Sequence, residues 1–112
     1  MSQTDIAKQI ITTYEGHGWE LRRVLLRPSS RDEFKSCADV FREAALIDAE
    51  IDALWFARPS HAKREAWELR LISENAYALF EAFEAEETEE QREDVRREME
   101  NRMREHTAGN GT

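Results

Sequence analysis

Arg22, Arg23 and Arg27 are the side chains best suited to holding a ligand, since each guanidinium offers a planar fork of donors to a phosphate or carboxylate. Arg31 and Lys35 extend this run, the only basic cluster in the chain. His61 completes the set as a group that titrates near neutral pH. Together Arg22, Arg23, Arg27 and His61 would form a small-molecule or anion site. The simpler expectation pairs the same arginines with the abundant Asp and Glu residues, as ordinary surface ion pairs.

Asp48, Glu50 and Asp52 alternate in a second arrangement, which would put three carboxylates on one face of an extended chain. Oxygen ligands of this kind suit Mg²⁺ or Ca²⁺. The spacing is not that of a calcium-binding loop: no Gly follows at the sixth position, and Pro59 stands where a bidentate Glu is required. A solvated approach to a strand accounts for the three acids. Tyr14, His17 and Trp19 flank a glycine turn and, with His61, sketch a pocket in which His would act as a general base. Nothing positions a second catalytic group beside it.

Cys37 lies on an apolar stripe and reads as a small core residue rather than a nucleophile. His17, His61 and His106 lack ligand spacing, and the chain has no glycine-rich phosphate loop, Cys-x-x-Cys or His-Glu-x-x-His. No catalytic residue, metal or cofactor is expected.

The elements that must position these groups follow from periodicity. Ile51-Asp52-Ala53-Leu54-Trp55-Phe56-Ala57-Arg58 carries bulk on both alternating faces and ends at Pro59, as a central strand should. Its end residues Asp52 and Arg58 are expected within reach of water or a partner. Residues 4–15 form a helix with Thr4 as N-cap and Ile6, Ile10, Ile11 and Tyr14 as its stripe. Residues 19–27 form a first strand. Ser30 and Glu33 fit a capping box that opens a helix over 31–43, burying Phe34, Cys37, Ala38 and Phe41. The alternations over 66–72 and 77–85 give two more strands, turning at 73–76. Thr88 and Gln91 open a last helix to about Glu105, and residues 107–112 form a flexible tail.

The fold class is therefore α+β: one small domain over residues 1–106, in the order α-β-α-β-β-β-α. Its mostly antiparallel sheet is covered by helices, and the first strand is joined to the central one by a right-handed crossover if the two are parallel. A mostly α-helical chain, with 62–85 as one long helix, is the alternative reading.

The formal net charge of −8 is unevenly spread. Residues 1–70 hold 11 Lys/Arg against 12 Asp/Glu, whereas residues 71–112 hold 5 Arg against 12 Asp/Glu. An acidic C-terminal third repels phosphates and speaks against nucleic-acid binding. A single cysteine and the lack of any long apolar run point to a cytoplasmic protein without a membrane span. The last helix has a narrow stripe of Val95, Met99 and Met103, which can seat on a sheet or on a neighbouring subunit. With Trp55 or Trp67 as an aromatic anchor, this stripe is the expected contact surface of a non-enzymatic interaction or adaptor module that binds a protein partner or forms a homodimer. The likeness to many bacterial adaptors and secretion chaperones is one of size and charge only.

Overall fold

The structure, a computed structural model, describes residues 2–110, with the backbone alone at position 110. Ser2 caps the first helix, α1 (Gln3–Gly16): its Oγ accepts from the Asp5 amide at 3.2 Å. Thr4, the expected cap, falls inside the first turn. Ile6, Ala7, Ile10 and Ile11 form the buried stripe, and Gly18 takes the left-handed conformation (φ +86°) that turns the chain into the sheet.

Five strands follow: β1 (Glu20–Leu26), β2 (Ala45–Asp48), β3 (Ala53–Pro59), β4 (Glu65–Leu71) and β5 (Ala78–Phe83). Their spatial order is β2-β1-β3-β4-β5. The Trp-Glu-Leu-Arg-Leu alternation does form a strand, and β4 pairs antiparallel with β5 from Glu65↔Phe83 to Arg70↔Ala78, so residues 62–85 contain a hairpin and not a helix.

β1 pairs with the central strand β3 antiparallel, so the crossover that a parallel pair would require does not join them. Its parallel neighbour is β2, an edge strand of four residues, too short to show a period in the sequence. The helix expected over 31–43 is also absent. In its place are two 3₁₀ turns, Pro28–Ser30 and Glu33–Cys37, and one turn of α-helix, α2 (Ala38–Phe41). Ser30 does not cap this segment, because its Oγ donates to Asp52 Oδ2 at 2.8 Å. A 3₁₀ turn aligns residues three apart, which sends Phe34 and Cys37 inward together, while Ala38 is left exposed.

Thr88 makes the expected reciprocal capping box at the start of α3 (Glu89–Asn110): Thr88 Oγ1 accepts from the Gln91 amide at 3.1 Å, and Gln91 Oε1 from the Thr88 amide at 2.9 Å. The helix continues past Glu105 through Thr107 to Asn110.

Strand alternation divides the interior into two cores. Leu21, Val24, Leu26, Leu54, Phe56 and Ile72 face α1 and the Phe34, Cys37 and Phe41 crossover. Leu25, Ala53, Trp55, Ala57, Trp67, Leu69 and Phe83 face Met99 and Met103 of α3. The domain is thus a sheet with a helical layer on each face.

Arg42 ends α2 at φ 51°, ψ −124°, a conformation that favours glycine, in a turn closed by the Ala44 amide on the Phe41 carbonyl at 3.0 Å. Among the described residues, what a substitution there forfeits is an ion pair with Glu15 in which the Arg42 side chain is largely exposed. Arg42→Gly is therefore expected to raise stability by about 1 kcal/mol, read as a higher urea midpoint at unchanged m-value.

Candidate interaction surface

The side chains that looked most chemical are committed to one another and to different places. Arg23 makes a bidentate pair with Glu93 of α3, at 3.2 and 2.9 Å. Arg27 binds Asp52 through its backbone amide (2.8 Å) and its guanidinium (3.2 and 3.1 Å). Arg22 lies 3.9 Å from Glu20. His61 is exposed in the turn between β3 and β4. The four do not converge on one anion site.

The three alternating carboxylates likewise go three ways. Asp48 meets Arg31, Glu50 meets Arg104, and Asp52 meets Arg27 and Ser30. No group of His, Cys, Asp or Glu with metal-binding geometry occurs among the described residues. Asp52, expected at an open strand end, is only 8% exposed. It knots the end of β1, the first 3₁₀ turn and the approach to β3. Cys37 is buried, and burial pushes its thiol pKa up.

The stripe expected to meet a partner meets the chain's own sheet. Met99, Met103, Trp55 and Trp67 are buried and Val95 half-buried, all in the core between α3 and the sheet. The four buried side chains are committed to this core, and Val95 keeps partial exposure. Trp55 Nε1 donates to Glu100 at 2.8 Å, which ties an acid of the charged last helix to the sheet.

Beside them lies a heavily charged contact. The Arg96 guanidinium stacks 3.9 Å from the centroid of the Trp67 ring and 5.2 Å from that of Phe83. Arg22 and Arg23 approach the same indole at 5.2 and 5.6 Å, both within cation–π range. Glu89 and Glu93 receive Arg96 at 2.6 and 2.9 Å. Trp67 Nε1 donates to Glu65, which also pairs with Arg92. The cluster is a clamp between helix and sheet.

On the opposite face, α1 covers only part of the sheet. Tyr14 stacks on Phe56 (centroids 4.1 Å apart), meets Trp19 edge-on and donates its hydroxyl to Glu68. Burial, and then that hydrogen bond, hold the hydroxyl protonated far above the usual tyrosine range, so it is no base at neutral pH. The Arg58 guanidinium lies 5.4 Å over Trp19 and donates to the His17 carbonyl at 3.0 Å. The expected Tyr14, His17 and Trp19 corner therefore exists, but as an aromatic stack. A concavity of about 450 Å³ opens beside it, lined by Ile10, Thr13, Tyr14, Arg70 and Glu74 among others.

Past Trp19 the sheet is bare. Ala78, Phe80 and Ala82 of β5 are exposed, and Phe80 is 59% accessible, touching only the edge of Trp19 among aromatic neighbours (6.4 Å, 87°). The Leu71 amide donates to the Tyr77 carbonyl at 3.0 Å. Hydrogen-bonded and open pairs alternate along an antiparallel ladder, so Leu79, Glu81 and Phe83 bond to β4. Ala78, Phe80 and Ala82 then point their N–H and C=O groups outward. The other edge, β2, exposes Leu46 and Ile47 on opposite faces. These edge residues were not among the expected contacts. Parity in the Ala-Leu-Phe-Glu-Ala-Phe run was the available signal, since it separates Phe80 from Leu79 and Phe83.

Compared with protein-family models, curated proteins and solved structures, the chain matches none.

The clamp is asymmetric: Arg96 is 1% exposed, while both its carboxylates reach solvent. Arg96→Met strands no charge and is expected to cost about 1–2 kcal/mol from the lost stacking. The double change Glu89→Ala/Glu93→Ala leaves a buried guanidinium unpaired and is expected to cost about 3–5 kcal/mol. Urea titrations of the two variants decide the order. A pH series tests the same contact. Burial raises the Glu93 pKa, but hydrogen bonds from Arg23 and Arg96 overcome that and leave it below its ordinary 4.5. Its stabilising contribution is thus complete above pH 4.5 and is lost as pH falls through the depressed value. The stability gap between wild type and Glu93→Gln should accordingly narrow on acidification below that point.

Proposed function

We propose that this chain is a non-enzymatic protein-interaction module acting in the cytoplasm, and that its contact surface is the β5 edge with the bare strip beside Trp19. The observation that carries this reading is Phe80, the most exposed large apolar side chain among the described residues, placed on an edge strand where Ala78, Phe80 and Ala82 turn their backbone groups away from β4. An open edge with β-forming side chains is a template for strand addition, in which main-chain hydrogen bonds supply affinity and side chains supply selectivity. The cytoplasmic setting is supported by the one cysteine being buried, and by no helix among the described residues being long and apolar enough to cross a membrane. The acidic balance gives no support to a nucleic-acid partner.

A second reading, binding of a small anion, draws on the concavity beside α1, where Arg70 lies near Gln9, Thr13 and Ser73. It would be established by a rise in Tm with phosphate or a dicarboxylate that Arg70→Gln abolishes, since a ligand specific to the folded state stabilises it.

The interaction reading is tested by capture from native lysate with tagged wild type and tagged Phe80→Glu. The expected result is a near-stoichiometric protein retained by the wild type and lost from the variant, at unchanged circular dichroism. Equal recovery from both would remove Phe80 and the β5 edge from the interaction.

A further inference from the structure

We infer that the partner at this edge is a second copy of the chain, paired β5 to β5 in antiparallel register about Phe80. The inference rests on the interaction reading above and names its partner. β5 is a six-residue strand whose outward groups lie at Ala78, Phe80 and Ala82. A two-fold axis perpendicular to the sheet keeps each face continuous across the junction. It therefore allows only registers in which residues of like parity stand opposite each other.

Three such registers overlap well. Centring the axis on Glu81 sets two Glu81 carboxylates against each other, which is repulsive. Centring on Leu79 uses Ala76, which lies in the turn before the strand, in place of one ladder position. Centring on Phe80 pairs Phe80 with Phe80 and each Ala78 with the opposite Ala82. Every outward N–H and C=O of the strand then meets a partner, about six backbone hydrogen bonds by the two-per-pair rule of antiparallel ladders. The two Phe80 rings fall on the same face, flanked by the small Ala78 and Ala82 side chains and backed by each copy's Trp19. The strand is thus its own complement in direction, hydrogen bonding and side-chain size, as an isologous interface requires.

The other edge does not match it. The Ala49 amide donates to the Leu26 carbonyl, so in β2 only Leu46 and Asp48 turn their backbone groups outward, and Asp48 is already paired with Arg31. A β2-to-β5 contact is also head-to-tail and would propagate into a filament instead of closing.

Light scattering on the full chain in solution is the test, followed by two kinds of variant. Wild type is expected at twice the 13.1 kDa chain mass. Ala82→Pro removes an N–H that points away from β4, so it leaves the hairpin's own ladder intact and is expected to give a folded monomer, as is Phe80→Glu. Register is read by mild oxidation. Phe80→Cys should crosslink, its Cα atoms lying about 5.5 Å apart across the pair. Ala78→Cys should not, because its two copies stand about 14 Å apart, four residues along the strand. A wild type that is monomeric at all concentrations, or a dimer untouched by Ala82→Pro, overturns the inference. A monomeric wild type that still shows Phe80-dependent capture removes self-pairing alone, whereas a monomer without such capture removes the interaction reading as well.

Discussion

The buried guanidinium of Arg96 is the contact around which α3 is seated on the sheet. The helix is rich in charge, and its apolar stripe of Val95, Met99 and Met103 is a single row. Such a row covers too little surface to hold a helix of 22 residues on a sheet by hydrophobic contact alone. Arg96 widens it by presenting a flat, weakly hydrated cation to the Trp67 and Phe83 rings, while Glu89 and Glu93 neutralise it from the solvent side. Burying that charge is tolerable because the aromatic faces and the carboxylates together replace its water. Glu93 then passes the connection to Arg23 on β1, so one ion network joins the helix to strands that are distant in sequence.

The same economy explains the acidic C-terminal third. Read as a linear pattern, its Glu and Arg residues look like solvated pairs four apart. In three dimensions Glu93, Glu100 and Arg104 reach Arg23, Trp55 and Glu50 instead, so the charges decide where the helix lies as well as how it dissolves. His106 extends the contact at the far end, stacked on Tyr77 with ring centroids 3.5 Å apart.

What was legible in the sequence was whatever depended on neighbours along the chain. The Thr88–Gln91 capping box, the Ile6–Ile10–Ile11 stripe, the Pro59 strand end and the alternation at Trp67–Leu69–Leu71 all appear as read. What was not legible depended mainly on distant partners, with the first helix's cap, at Ser2 and not Thr4, as a local exception. Ser30 has a local use as a cap and a tertiary use as a donor to Asp52, and the buried carboxylate, which Arg27 also binds, wins because a hydrogen bond to a buried charge contributes more than one at an exposed turn. β2 exists because β1 offers it a ladder, and nothing in Ala45–Asp48 announces that. The arginines stand out in the sequence, but their partners lie up to 70 residues away. Among the aromatics, Trp55 and Trp67 are hidden because they are the largest side chains on a central face, while Phe80 is displayed because its strand is last in the sheet.

One irregularity in β1 bears on how this sequence tolerates change. Leu21 stands opposite Phe56 and Arg23 opposite Trp55, so Arg22 is a residue that the β1–β3 ladder does not count. The pairing of β1 with β2 begins only at Arg23. The bulge is therefore a reserve of chain length: the strand can lose one residue at that point and keep both of its neighbours in register. The same loss anywhere between Arg23 and Leu26 would exchange the two cores, turning Val24 and Leu25 each to the wrong helix. Length is thus negotiable at one position of the strand and rigid at the next, a distinction that depends on pairing and not on residue type.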